Sequence, residues 1–441
     1  MPRLLLVLLA ALLLALSFLA IGSCAGNADL SVADGTGPEP ALPAPKKSLL
    51  PLVHVAKAQR WDDDQMPLAA EGLEVAPFAA GLDHPRWLYV LPNGDVLVAE
   101  TNAQQKKPKS LFDRVQKAVM KRAGAGVRSA DRITLLRDSD GDGIAEKRSV
   151  FLSGLTSPFG MALIKDRLYV ANTDGIVSFP YSTGALELPA DATPLAVLPA
   201  GELNNHWTKS LIANADGKFL YAGVGSNSDH GENGMHNEQG RAAIWEIETD
   251  TGESRLFATG LRNPVGMDFE PVTGQLWTAV NERDDLGGDL VPDYMTSVTD
   301  GGFYGWPYSY YGDNLDPRIE EQRPDLVASA IVPDYALGPH TASLGLCFAK
   351  GAKLGAKWQS GAFVGQHGSW NRKPRSGYKV IYVPFTDGEP DGSPIDVLTG
   401  FLDEDGKALG RPVGVAIDSA GALLVADDVG NTVWRVTRKA D

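Results

Sequence analysis

Cysteine is nearly absent: the 441 residues hold two, Cys24 and Cys347. A disulfide framework therefore cannot carry the fold, and without a Cys-x-x-Cys-His run the chain brings no c-type haem of its own. Positive charge is also scarce. The 40 Lys and Arg are outnumbered by 55 Asp and Glu, for a formal net charge of −15. A surface of that sign repels nucleic acid and excludes it as a class of partner; any anionic ligand has to be held by locally gathered Arg and Lys. Long amphipathic helical patterns of the βαβ kind are missing as well.

Long hydrophobic runs are confined to the N-terminus. Residues 1–23 carry one charge, Arg3, followed by an apolar stretch over 4–21 that closes on Ile21-Gly22-Ser23-Cys24. This is the pattern of a secretory signal (1–23) whose cleavage leaves a lipid on Cys24. A retained membrane anchor is the alternative for a run of that length. Either form puts the globular part in the periplasm or cell envelope, with the membrane reached through the N-terminal lipid in the first case. Removing Arg3 with the signal leaves 39 basic against 55 acidic residues, or −16. Residues 24–70, rich in Pro, Ala and Asp, read as a flexible tether. Cys347, in an apolar run, reads as a small buried side chain.

What is present is repetition. Gly-Leu-x-x-Pro occurs at Gly81-Leu82-Asp83-His84-Pro85, Gly154-Leu155-Thr156-Ser157-Pro158 and Gly260-Leu261-Arg262-Asn263-Pro264. A second apolar strand follows each copy, as in Val96-Leu97-Val98-Ala99 and Leu276-Trp277-Thr278-Ala279. Weaker copies begin near His206, Thr341 and Gly410, giving six units. Short strands at that spacing predict an all-β, six-bladed β-propeller over 71–441, the last unit closing the ring with residues before Gly81. A basic insertion at 103–130 interrupts the first unit, and its spacing of Leu111, Val115, Ala118 and Val119 predicts a short amphipathic helix. It reads either as a contact for anionic lipid or an electron-accepting partner, or as a solvated excursion.

Several clusters carry chemistry. Asp138-Ser139-Asp140-Gly141-Asp142-Gly143, with Glu146, sets carboxylates at alternate loop positions, a donor set for structural calcium; an acidic turn between strands is the plain alternative. Asn281-Glu282-Arg283-Asp284 offers oxygens for a second cation through Glu282 and Asp284. His206 opens a unit where the others carry their repeat, which aims it at the channel mouth as a proton acceptor near neutrality; His340 and His367 are rivals. The third copy of the repeat places Arg262 and Asn263 where the others have Asp-His or Thr-Ser, and a guanidinium holds carboxylate or carbonyl oxygens with two fixed donors. Arg86 and Arg411 also stand at unit starts, and Gly301-Gly302-Phe303-Tyr304-Gly305-Trp306-Pro307 offers flat faces for stacking. Gln366-His367-Gly368-Ser369-Trp370-Asn371-Arg372-Lys373 adds an aromatic and two more cations.

His206, Arg262-Asn263-Pro264, the 301–307 turn and Gly368-Ser369-Trp370-Asn371-Arg372, in that order, resemble the sorbosone dehydrogenase branch of the PQQ-dependent sugar dehydrogenases. The soluble PQQ glucose dehydrogenases are more distant relatives. The resemblance runs from about 75 to 438. It implies pyrroloquinoline quinone and calcium on the top face, a sugar or aldehyde substrate, and an external electron acceptor, a quinone or separate cytochrome. It assigns His206 as catalytic base and Arg262 as catalytic and cofactor-contacting, with Asn263, Trp370, Arg372, Lys373, Arg86 and Arg411 as further cofactor contacts. The chain departs from the glucose enzymes in having Asn205 before the histidine and Ser226 in the following glycine turn, where those enzymes have Asp. Two readings compete: a calcium-dependent lactonase-type propeller, and a non-catalytic envelope binding platform.

Overall fold

A computed structural model describes residues 27–46, 54–106 and 111–440, with the backbone alone over parts of 111–117. The signal segment, Cys24 and the lipid expected on it lie outside the described residues. Among the described residues no helix is long and apolar enough to cross a membrane.

The recurrent phrase builds six four-stranded antiparallel blades. Its glycine supplies a left-handed turn into each inner strand, with φ of 67° at Gly81, 72° at Gly154 and 75° at Gly260. Blade one runs through Pro85–Val90, Val96–Glu100, Arg132–Arg137 and Lys147–Leu152; blade two through Met161–Ile164, Arg167–Asn172, Gly175–Pro180 and Thr193–Val197. Blade three comprises Lys209–Ala213, Phe219–Val224, Ala243–Glu248 and Ser254–Thr259; blade four comprises Pro264–Phe269, Leu276–Val280, Pro292–Ser297 and Tyr335–Pro339. Blade five consists of Ser343–Phe348, Gly361–Gln366, Lys379–Thr386 and Ile395–Thr399. Blade six takes Pro412–Ile417, Leu423–Asp427 and Thr432–Arg438, and its outer strand is Leu73–Ala79, from before Gly81, as the repeat predicts. Pairing the two ends of the chain in one sheet closes the ring and leaves no open edge between first and last blades.

The apolar core is divided by this symmetry. Separate clusters fill the interfaces between successive blades, for example Leu97, Ile133, Phe151 and Val170 between blades one and two, and Phe363, Tyr382, Val425 and Trp434 between five and six. A smaller cluster on the axis, Phe159, Val265, Leu344 and Val413 with Trp87 and Trp207 against it, plugs the channel below one mouth. Inner strands approach so closely that a Cβ on Gly160 would strike the backbone of Leu211, and one on Gly414 would lie 2.8 Å from Arg86 O. That tight packing positions the loops which enter the inner strands.

The tether expected over 24–70 is not loose where it is described. Thr36–Gly37 adds a strand to blade four and Leu68–Ala69 adds one to blade five. Trp61 donates from Nε1 to Asp427 Oδ2 at 2.7 Å and packs edge-on against Phe401 and Trp434. Composition hid this because the contacts are backbone pairings and single anchors, which need no periodicity. The basic insertion does form a helix, Leu111–Arg122. Cys347 is half-buried and its thiol is free; burial, with Asp268 nearby, pushes its pKa up.

Candidate active site

The loops that enter the inner strands and those that link second to third strands share one face of the disc. His206 lies on it, three residues before the inner strand of blade three. Its Nδ1 is 2.7 Å from the Ser226 carbonyl and 3.1 Å from Ser226 Oγ. A carbonyl can only accept, so Nδ1 carries the hydrogen and Nε2 keeps its lone pair. Among the described residues no hydrogen bond engages Nε2. Ser226 thus orients the ring through its backbone, in place of the aspartate that the relatives' pattern would put there. Burial, then the Arg262 charge, lowers the His206 pKa to about 3, so the imidazole is neutral at physiological pH. Gly225 makes the approach possible: a side chain there would collide with Asn263 Oδ1 and His206 Cβ.

Arg262 is buried and heavily engaged. Nη1 donates to the carbonyls of Glu282 at 2.7 Å and Asn281 at 3.2 Å, and Nη2 donates to Asp229 Oδ1 at 2.9 Å. It acts chiefly as a buttress that fixes the loops around His206 and sets the local field. Asn263 follows it with a buried Oδ1 that has no partner. Across the mouth, Asp428 organises a second cluster. It accepts from Arg86 Nη1 at 2.7 Å and lies 2.9 Å from His367 Nε2, with His84 beside it. Although burial opposes it, these neighbours hold the Asp428 pKa far below the carboxylate range. The Arg86 guanidinium sits 5.7 Å over the Trp207 ring, and Arg411 sits 5.0 Å over Tyr378. The Nε–H groups of both arginines are buried and lack acceptors. Unpaired buried guanidinium donors ask for an anion.

Other expected residues are placed elsewhere. Arg372 is consumed by the carbonyls of Gly288, Pro374 and Leu30, so it braces the N-terminal segment and cannot serve a cofactor. The side chain of Lys373 is exposed, while its carbonyl accepts from Ala28 N. Trp370 is 39% exposed at the loop tip. Tyr304 and Trp306 of the glycine-aromatic turn are buried, with Trp306 Nε1 on the Asp229 carbonyl, so they hold the 298–334 connection in place and offer no stacking face. Of the histidine rivals, His367 is tied to Asp428, with its pKa pulled by burial to about 4. His340 faces Asp284 Oδ1 through Nδ1 at 3.1 Å and the Gly287 carbonyl through Nε2 at 2.9 Å; burial opposes its charge, but Asp284 raises its pKa.

Asp138, Asp140, Asp142 and Glu146 do converge, with ligand atoms within 4.8 Å of one another. Their loop joins third and fourth strands, hence lies on the face opposite His206. Glu282 and Asp284 form no such site. Glu282 pairs with buried Arg283 at 3.0 Å, and Asp284 accepts from Asn371 at 2.7 Å besides facing His340. Cations and amides already satisfy both.

Sequence reasoning passed over Asp428, Asp229, Arg318 and Lys209. Asp428 could have been found by comparing the ends of the second strands copy by copy, where Asp427-Asp428 stands at the position of Glu100-Thr101, Asn172-Thr173 and Val280-Asn281 in other blades. Lys209 is fully buried in the inner strand of blade three, at the position that Phe159, Val265, Leu344 and Val413 hold in theirs. Burial, then Arg241, lowers its pKa to about 7. Arg318, which bonds Asp229 Oδ2 at 2.9 Å, comes from a long connection that carries no repeat signal.

Fold and mouth together define a class: a six-bladed propeller with a neutral histidine and unpaired guanidinium edges around one end of its channel. Residues 171–369 match the Glucose / Sorbosone dehydrogenase family, and 320–439 match the TrAA12-like family. The chain is 26% identical over 297 residues to an uncharacterised protein of Borreliella burgdorferi, covering 64% of this chain and 76% of that one. It is 24% identical over 433 residues to the pyrroloquinoline quinone-dependent pyranose dehydrogenase of Coprinopsis cinerea, covering 84% of this chain but 54% of that longer protein. The holo form of the pyranose dehydrogenase PQQ domain from Coprinopsis cinerea superposes with a TM-score of 0.68 at 22% identity, covering 87% and 100% of the two chains. That likeness fixes the fold. Less than half of the chain thus matches the glucose/sorbosone dehydrogenase model, and over most of its length the chain is similar in sequence to a PQQ-dependent pyranose dehydrogenase.

Proposed function

We propose that the chain is a quinoprotein oxidoreductase that oxidises an aldose or sugar aldehyde, sorbosone-like compounds included. The observation that carries the reading is the conjunction, at one channel mouth, of His206, whose Nδ1 is held by Ser226 and leaves Nε2 for a substrate, with the unpaired Nε–H donors of Arg86 and Arg411. Pyrroloquinoline quinone, which carries three carboxylates, fits those donors, and Asn263 offers an open amide oxygen near His206. When bound, the cofactor supplies the hydride acceptor; binding and orientation fall to the protein. His206 Nε2 takes the proton from the reacting hydroxyl, while Nδ1–H stays on the Ser226 carbonyl and keeps the ring aimed. Negative charge brought to the mouth by cofactor and substrate favours the imidazolium and raises its low pKa toward the working range.

The Asp138 loop suits calcium as a structural ion, its distance from His206 setting it apart from the chemistry. The same reading has the protein lipid-anchored through Cys24 in the envelope and passing electrons to an external quinone or cytochrome. Reconstitution with PQQ and calcium, followed by dye reduction with aldoses, sorbosone and simple aldehydes, tests the proposal. Dye reduction with at least one of these is expected. Lactone hydrolysis without dye reduction would replace it with the lactonase reading.

A further inference from the structure

A cleft of about 530 Å³ opens between residues 199–203 on one bank and Asn227, His236, Asn237, Gln239 and Arg241 on the other. That is within the range of small-molecule sites, roughly 300–1,000 Å³. It begins one residue from the base, since Asn227 follows the Ser226 that anchors His206, and the Asn227 carbonyl accepts from Asn205 Nδ2 at 2.7 Å.

Asn227 is 3% exposed, and its Oδ1 has no partner. Every other polar group of the residue is engaged. Its N–H donates to Glu238 Oε2 at 2.7 Å, Nδ2 donates to the Asn237 carbonyl at 2.8 Å, and its own carbonyl accepts from Asn233 and Asn205. The Asn237 carbonyl also fixes the amide's orientation, because a flipped amide would set two oxygens against each other. A buried acceptor is thus left at the cleft wall, and an unmet buried acceptor is costly unless a ligand donates to it.

The cleft's charge narrows the ligand further. The Arg241 guanidinium is spent on its own wall: Nη1 donates to Gly225 O at 3.1 Å, and Nη2 to Pro199 O, Ala200 O and Asn204 Oδ1. It braces the bank to the glycine beside His206 and presents no free cation for a phosphate or carboxylate. Leu203, 38% exposed, supplies an apolar surface, His236 and Gln239 add polar edges, and the exposed Glu202 adds a carboxylate that turns anions away and can accept hydroxyls. With the guanidinium spent and a carboxylate on one bank, hydrogen-bonding groups around one apolar contact suit an uncharged, polyhydroxylated ring.

We infer that this cleft is a saccharide subsite that holds the sugar unit next to the one oxidised, with Asn227 Oδ1 accepting one of its hydroxyls. The preferred substrate is then an oligosaccharide or glycosylated aldose. The inference rests on the dehydrogenase reading for which unit reacts, though not for the binding itself. Two measurements keep them apart. By calorimetry on the full chain loaded with PQQ and calcium, a disaccharide such as cellobiose or maltose should bind at least tenfold more tightly than glucose. Asn227→Ala and Leu203→Trp, each checked for an unchanged far-UV spectrum and Tm, should bring that ratio to near one. In turnover, the KM ratio of glucose to disaccharide should fall in parallel. Equal binding of glucose and both disaccharides by the parent protein, or a ratio unmoved in both variants, overturns the subsite. A disaccharide preference without any dye reduction retains the subsite and removes the dehydrogenase reading.

Discussion

His206 has two nitrogens with different tasks, and the Ser226 carbonyl decides which is which. Replacing His206 with Ala removes the open Nε2 that this residue brings to the mouth and leaves Arg86 and Arg411 in place. Turnover should fall by roughly 10²–10⁴-fold, the usual worth of general-base action, with PQQ affinity largely kept; rates and a PQQ titration on the same preparation check both. Arg411→Met keeps the unbranched apolar stem of the side chain but removes the guanidinium and with it the unpaired Nε–H. A hydrogen bond to a charged group is worth about 1.5–3 kcal/mol, so PQQ should bind about 10- to 100-fold more weakly, again by titration. The identity of these residues was legible because each breaks a repeat. Their state was not: Arg262 and Arg372 read as cofactor ligands in the sequence, yet Arg372 is spent on backbone carbonyls and Arg262 on carbonyls and the Asp229 carboxylate, partners that only the folded loops bring to them.

The blade is the element that repeats, and its loops divide the work between two faces. Connections between third and fourth strands lie away from the mouth, so the Asp138–Glu146 loop can bind a cation only as a brace for blade one. Calcium should raise Tm, a ligand at a hundredfold excess over its Kd stabilising by ~2.7 kcal/mol. Asp140→Asn with Asp142→Asn should abolish that rise while leaving PQQ binding intact; scanning calorimetry with calcium and with chelator reads it directly. The carboxylates of this loop sit close in sequence, and so their convergence could be read without a structure. In the sequence Glu282 and Asp284 offer a similar set. They fail because Arg283, His340 and Asn371 engage their oxygens first.

At the level of the whole molecule, closure matters most. Leu73–Ala79 completes the blade that Thr432–Arg438 begins, and the segments around 36 and 68 extend two neighbouring blades, so the chain's first described stretches are part of the ring's framework. Stability should carry the signature of His206. Unfolded, the ring takes up a proton near its ordinary 6.5; folded, it does so near 3. Between those values the unfolded state binds more protons, so the contribution of this residue is complete above pH 6.5 and is lost as pH falls toward 3. Between pH 7 and 4, Tm of His206→Ala should therefore drop less than that of the parent protein. An equal drop would remove burial as the cause of the low pKa.

The sequence by itself determined the number of blades, the place of closure and the histidine that opens blade three. These follow from local repetition: a glycine turn, a proline, an alternating strand, and the copies that depart from the pattern. The tertiary structure alone decided which charges remain open. Asp428 gathers His84, Arg86 and His367 from blades one and five, Arg262 is claimed by Asp229, Asn281 and Glu282, and Asn227 keeps one oxygen free at the cleft. Whether a polar atom is satisfied depends on neighbours hundreds of residues away along the chain, and no local pattern records that distance.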